Sequence, residues 1–128
     1  MELEDKDITE KIIKCAFTVH RNLGSGFLEK LYENAMVIEL KKLNLNVKQQ
    51  CPISVKYHDQ VIGEYFADLF VEERIICELK SAEKIVFRHE MQLVNYLSAT
   101  GLDIGLLINF FDRVTVRRKF RVYRKKTN

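Results

Sequence analysis

The stretch Asp68-Leu69-Phe70-Val71-Glu72-Glu73-Arg74-Ile75-Ile76-Cys77-Glu78-Leu79-Lys80 decides how this chain is read. Two runs of aromatic and β-branched residues flank the charged turn Glu72-Glu73-Arg74, the pattern of two paired strands. One acid stands on the first strand, and an acid and a lysine two apart stand on the second. Side chains at i and i+2 of a strand share a face, so Glu78 and Lys80 point the same way. If the three-residue turn sets Val71 against Ile75, the same register puts Asp68 directly opposite Glu78. Opposed side chains have Cβ atoms about 4.5–5.5 Å apart, so two carboxylates there repel unless a cation lies between them. Mg²⁺ is typically held by one or two carboxylates together with waters and substrate phosphate, and this pair offers that arrangement. Lys80 beside such an ion would orient or deprotonate a water and stabilise charge growing on phosphorus. These residue types match hydrolysis of a phosphodiester. The competing reading is a solvent-facing strand surface on which acids and lysines alternate. The apolar neighbours Tyr65, Phe66, Leu69, Phe70, Ile75, Ile76 and Leu79 speak against it, because unpaired charge is costly among them.

Upstream, Ile8, Ile12, Ala16 and Val19 recur at three- and four-residue steps, with Ile13 and Phe17 beside them, the period of an amphipathic helix capped by Thr9 or Asp7. Leu23-Gly24-Ser25-Gly26 ends it, and residues 28–43 repeat the helical pattern through Leu31, Ala35, Ile38 and Leu40. Alternating and β-branched residues then predict a hairpin, 47–57 and 61–71 around His58-Asp59-Gln60, followed by the strand 75–80. A helix over 82–100 stops at Gly101. Residues 104–111 are nearly all apolar, as in a strand buried on both faces, and 115–123 add a last strand. The order α, α, β, β, β, α, β, β has no repeat and no internal boundary, so residues 1–128 read as one domain.

The chain has 128 residues, 47% hydrophobic and 30% charged, with five glycines and one proline, which excludes disordered and collagen-like classes. The acidic N-terminus and the lack of a run of about 20 apolar residues argue against secretion and membrane insertion. Cys15, Cys51 and Cys77 stand far apart, with no C-x-x-C pair and no histidine at finger spacing. Reduced, buried thiols in a cytoplasmic protein are the expectation. The net charge of +3 hides an asymmetry: residues 113–128 carry eight Lys/Arg and no Asp/Glu, so the preceding residues are net acidic. A basic end on an acidic body suits nucleic acid, although lysines on an edge strand also discourage aggregation.

On the helix after Lys80, His89, Gln92 and Tyr96 form one stripe at three- and four-residue spacing. The ordered set Asp68, Glu78-x-Lys80 and Gln92-x-x-x-Tyr96 resembles the PD-(D/E)XK nuclease superfamily, in particular its RecB-like branch with a Q-x-x-x-Y motif. Gly26-x-x-Glu29-x-x-Tyr32 resembles the signature of the small G-x-x-E-x-x-Y family within it. The resemblance spans nearly the whole chain. It implies an α/β fold with a restriction-endonuclease-like core (α-β-β-β-α-β), a mixed sheet flanked by helices. It implies a Mg²⁺- or Mn²⁺-dependent nuclease acting on DNA, with RNA as the alternative substrate. Asp68 and Glu78 would be metal ligands, joined by the helical acid Glu29, for which Glu33 one turn on is a substitute. Lys80 would be the catalytic lysine, and Gln92 and Tyr96 would steady the site and contact nucleic acid. One departure is Ala67 where many members have proline before the acid.

From the residues themselves, Glu29 also suits the first turn of a helix through the dipole, Tyr32 reads as a packing residue with its hydroxyl bonded, and His89 is left outside the metal set. Arg117, Arg118, Lys119 and Arg121, continued by Arg124, Lys125 and Lys126, are the expected contacts to phosphate backbones. The expected partner is nucleic acid, DNA first, with a homodimer or a partner protein also open. The alternative function is a module that keeps the fold and binds nucleic acid or protein without hydrolysis.

Overall fold

A computed structural model describes residues 3–122. Two helices come first, α1 (Asp5–Leu23) and α2 (Glu29–Lys42). Strands β1 (Val47–Tyr57), β2 (Gln60–Val71) and β3 (Ile75–Lys80) follow, then α3 (Phe87–Thr100), β4 (Ile104–Phe110) and β5 (Val114–Phe120). The five strands form one sheet in the order β1-β2-β3-β4-β5. All neighbours are antiparallel except β3 and β4, which run parallel and are joined by the α3 crossover. This is the expected α/β core with a mixed sheet flanked by helices.

The helices divide the sheet into two unlike faces. Beneath α1 and α2, Ile8, Ile12, Val19, Tyr32, Met36 and Leu40 interlock with Leu69, Val71, Ile75, Cys77, Leu79, Leu106, Ile108 and Phe110. Beneath α3 the buried cluster is smaller: Ala67, Ile76, Leu93, Leu97 and Leu107. β4 supplies residues to both clusters, which explains its continuous apolar run. α3 lies so close to it that a Cβ at Gly105 would come within 2.8 Å of Leu93.

The turn before α2 is held by Tyr32. Its fully buried ring stacks on Phe110 at 4.6 Å, and its hydroxyl donates to the Gly24 carbonyl at 2.7 Å. Gly24 and Gly26 adopt φ of +79° and +99°, conformations that side-chain-bearing residues rarely adopt. The packing reading of Tyr32 therefore holds.

Three sequence expectations need correction. α1 begins before Ile8, because Glu4 caps it in a reciprocal box with Asp7, while Thr9 bonds back to the Lys6 carbonyl. The third helix starts at Phe87 rather than near Ala82. Asn109 on β4 grips Ala82 from both sides, accepting from its N–H at 2.9 Å and donating to its carbonyl at 2.8 Å, so the chain stays extended there. The last strand runs Val114–Phe120, since Arg121 N–H bonds to the Asp103 carbonyl and Val122 N–H to Ser98 Oγ; residue 123 lies outside the described residues.

Candidate active site

Val71 pairs with Ile75, and the β2–β3 ladder ends at Leu69 and Cys77, one step short of Asp68 and Glu78. The strands part there, and the Asp68 carboxylate takes up a freed backbone donor. Asp68 Oδ2 accepts from the Leu79 N–H at 2.8 Å, and the Asp68 backbone N–H favours the ionised form of Glu78. Asp68 thus braces the end of the ladder beside Glu78.

On the other side of β2, both strands turn over. Val47 packs beneath α1 and α2 whereas Cys51 and Ile53, of the same parity, pack beneath α3. Leu69 and Val71 likewise differ from Tyr65 and Ala67. The inversion falls at Gln50, which adopts φ of +47°, and at Asp68, its opposite number by register. There the Gln50 amide donates to Asp68 Oδ1 at 3.1 Å and to Glu33 Oε1 at 2.8 Å. Glu33 is buried, and Gln49 at 2.7 Å and Lys30 at 2.7 Å hold its other oxygen. A hydrogen-bonded chain therefore runs from α2 through Gln50 to Asp68. Glu29, in contrast, is exposed on the first turn of α2.

On top of burial, Glu33 and Lys80 both act on Glu29, Asp68 and Glu78, the acid raising each carboxyl and the lysine opposing it. Burial pushes the Glu78 carboxyl up to about 8, opposed by Lys80 and the Asp68 N–H and reinforced by Glu33 and Glu29. Burial also raises Asp68, against its bonds to Leu79 and Gln50, and raises Glu29, whose neighbours Asp68 and Glu33 add to the effect while Lys80 opposes it. Oε1 of Glu78 is buried without a hydrogen-bond partner. A buried carboxylate oxygen without a partner, next to acids whose charged forms are poorly solvated, is a setting that fits a hard divalent cation. Among the described residues no three His, Cys, Asp or Glu side chains converge as a ready-made metal cage. A pair completed by water and substrate oxygens is the arrangement that Mg²⁺ tolerates.

Glu78 and Lys80 do share a face. With Tyr65, His89, Gln92 and Tyr96 they line a cavity of about 30 Å³ beneath α3, so the helical stripe faces the strand-borne acid and lysine. Tyr96 stacks on Tyr65 with centroids 3.6 Å apart, and the Gln92 amide reaches the Tyr96 hydroxyl at 3.4 Å. The Tyr65 hydroxyl and His89 Nδ1 are buried without partners, like Glu78 Oε1. Burial and the charges of Lys80 and Arg88 hold His89 below its usual range, toward the neutral imidazole.

The basic strand is not one surface. Arg117 is exposed and lines a cleft with Lys84 and Arg113 on the α3 side. Lys119, also on that side, pairs with Glu90 at 3.3 Å, and Arg121 pairs with Asp103 at 2.8 Å. Arg118 lies on the opposite face, 3.4 Å from Thr9 Oγ1. Arg124, Lys125 and Lys126 lie outside the described residues.

Gln49, Gln50 and Tyr65 were not singled out from sequence. The signal was the polar Gln49-Gln50 pair interrupting the alternation of β1, with Glu33 one helical turn after Glu29.

A family profile of the PD-(D/E)XK nuclease superfamily matches residues 6–122. The chain belongs to this superfamily. Among solved structures it is similar to SSO0001, with 17% identity, a TM-score of 0.53, and coverage of 94% of this chain and 61% of that one. It is also similar to the alkaline exonuclease of Laribacter hongkongensis, with 14% identity, a TM-score of 0.53, and coverage of 95% and 73%. This chain therefore spans less than two thirds of SSO0001, and at these identities the likeness concerns the fold. No curated protein sequence matches. Nucleases of this superfamily are generally divalent-metal dependent, and among the described residues no helix is long and apolar enough to cross a membrane.

Proposed function

We propose that this nuclease-like chain hydrolyses phosphodiester bonds of nucleic acid, DNA before RNA, with Mg²⁺ or Mn²⁺ held by Asp68 and Glu78 and with Glu29 at the rim. The observation that carries the reading is the orphaned, buried Glu78 oxygen on the same face as Lys80 and opposite Gln92 and Tyr96. The ion would supply Lewis-acid polarisation and a water of lowered pKa. Asp68, fixed by Leu79 and Gln50, and Glu78 hold their oxygens for it. Lys80 holds the attacking water and balances the charge that grows on the phosphate oxygens. Gln92 and Tyr96 orient the substrate backbone over this face, and Arg117, with Arg118, Lys119 and Arg121 in weaker roles, contributes non-specific attraction to phosphates.

Gly26, Glu29 and Tyr32 together with Gln92 and Tyr96 support membership of the G-x-x-E-x-x-Y, RecB-like branch. The unpaired thiols of Cys15, Cys51 and Cys77 fit a single cytoplasmic domain. A homodimer or a partner protein would be an addition to this machinery. The second reading, a non-hydrolytic binding module, draws on the lack of a three-acid cage among the described residues. Incubating plasmid and single-stranded DNA with the pure protein and Mg²⁺ or Mn²⁺, beside Lys80→Ala and EDTA controls, separates the two. Metal-dependent cutting that Lys80→Ala abolishes supports hydrolysis, and binding without cutting under either metal favours the module.

A further inference from the structure

The outer wall of the α3 site is a groove of about 330 Å³ lined by Arg88, Met91, Gln92, Asn95 and Tyr96. Gln92 and Tyr96 also line the small cavity that holds Glu78 and Lys80, so groove and cavity adjoin across these two side chains. Phe87, Met91 and Asn95 follow one another at four-residue steps and extend the same helix face. Phe87 is 73% exposed and Met91 41%, which leaves large apolar surface beside a polar site. Among the described residues, Arg88 has no ion-pair partner and the Asn95 amide no hydrogen-bond partner.

A cation for phosphate, apolar side chains for a ring face and amides for a base edge, along one helix face, are the requirements of a nucleotide whose base has left the stack. A closed duplex keeps base faces inside and offers side chains only groove edges and backbone. Gln92 and Tyr96 alone stand between the groove and the cavity of the acid and lysine, so a nucleotide in the groove would adjoin the phosphate under attack. We infer that the α3 groove, with Met91 in its wall, exposed Phe87 one helical turn before it and Arg88 at its rim, binds an unpaired nucleotide next to the scissile phosphate. The substrate is then single-stranded nucleic acid or a frayed end in preference to closed duplex. This inference rests on the proposed nucleic-acid reading of the same site and adds the strandedness that reading leaves open.

The test measures binding, so that it does not depend on cleavage. Full-length Lys80→Ala protein in EDTA is titrated against a labelled single strand and a blunt hairpin duplex by fluorescence anisotropy, with and without the added pair Phe87→Ala/Met91→Ala. Tighter binding of the single strand is expected, with the pair losing about tenfold on the single strand and less than about twofold on the duplex. Arg88→Ala should lower the salt slope for the single strand by about one. Both truncations are at exposed positions, and an unchanged melting temperature confirms that the fold is intact. Equal affinity for the two ligands, or equal losses on both, overturns the inference while leaving the nuclease reading in place. Binding to neither ligand overturns both.

Discussion

The two faces of the sheet are built from the same strands and have opposite characters. Under α1 and α2, alternate residues of β3 and β4 close a continuous apolar core, and the buried Glu33 at its margin is held by three donors. Under α3 the same strands present Glu78 and Lys80, and three buried polar atoms, Tyr65 Oη, Glu78 Oε1 and His89 Nδ1, lack partners around one cavity. Buried polar groups left unsatisfied cost stability, so their concentration on one face marks where the fold gives up stability for chemistry. Substitutions on the two faces should therefore separate activity from folding.

The largest separation is expected at Lys80. Lys80→Ala should lower metal-dependent plasmid nicking by about a hundredfold or more, the scale seen when one preorganised charge or donor to a transition state is removed. Melting temperature and its increase with Mn²⁺ should survive. Equal nicking by wild type and variant would show that the cutting comes from a contaminant or that Lys80 is only a strand-surface residue. On the opposite face, Leu40→Ala should reverse the pattern. Leu40 is fully buried, so its truncation should cost about 2–5 kcal/mol in denaturant unfolding. Nicking per folded molecule, measured well below the melting temperature, should not change.

The acids sharpen the contrast through pH. Glu78 is raised by burial to about 8 in the folded chain, whereas an unfolded glutamate titrates near its model value of 4.5. The folded state thus holds a proton that the unfolded state releases. That contribution is complete below the unfolded value and is lost as pH rises through the folded one, so metal-free stability should fall between about pH 5 and 8. Asp68 is shifted in the same direction. Glu78→Gln should flatten the decline. Mg²⁺ or Mn²⁺ should restore the melting temperature most at the alkaline end, because binding to the folded state alone stabilises it. Asp68→Asn should abolish that metal effect, and an identical shift in wild type and Asp68→Asn would dissociate the ion from this pair.

The face that carries the acids was largely legible in the sequence. A three-residue turn of known length fixes the register of β2 on β3, and period-two alternation then puts Glu78 and Lys80 side by side. The helical stripe of His89, Gln92 and Tyr96 was legible for the same reason, a fixed period in a single element. What escaped depends on contacts between elements. The inversion of β1 and β2 needs a glutamine at positive φ, a conformation that no propensity announces. The delayed start of α3 depends on an asparagine from a strand that follows it in the chain. Gln50→Ala tests the first of these. It removes a donor shared by Asp68 and buried Glu33, so it should cost about 1–3 kcal/mol and raise the metal concentration needed for half-maximal nicking. Loss of stability with unchanged metal dependence would confine Gln50 to supporting Glu33.

The smallest expected effects lie along β5, where the sequence shows one basic strip and the structure two faces. Arg117 is exposed beside Arg113 and Lys84 on the α3 side, and it forms no ion pair among the described residues. Its neighbour on that side, Lys119, already faces Glu90 at 3.3 Å. A cation neutralised within the protein releases fewer counterions from nucleic acid than a free one. Arg117→Gln should therefore reduce the slope of log affinity against log salt by about one, and Lys119→Gln by distinctly less. The second change also frees Glu90 on α3, so part of any loss would come from added repulsion. The double variant Lys119→Gln/Glu90→Gln removes that repulsion and should return affinity nearly to wild type. Equal slopes for Arg117→Gln and Lys119→Gln would mean that the Lys119–Glu90 pair opens on binding and that the α3 face of β5 acts as a single basic surface.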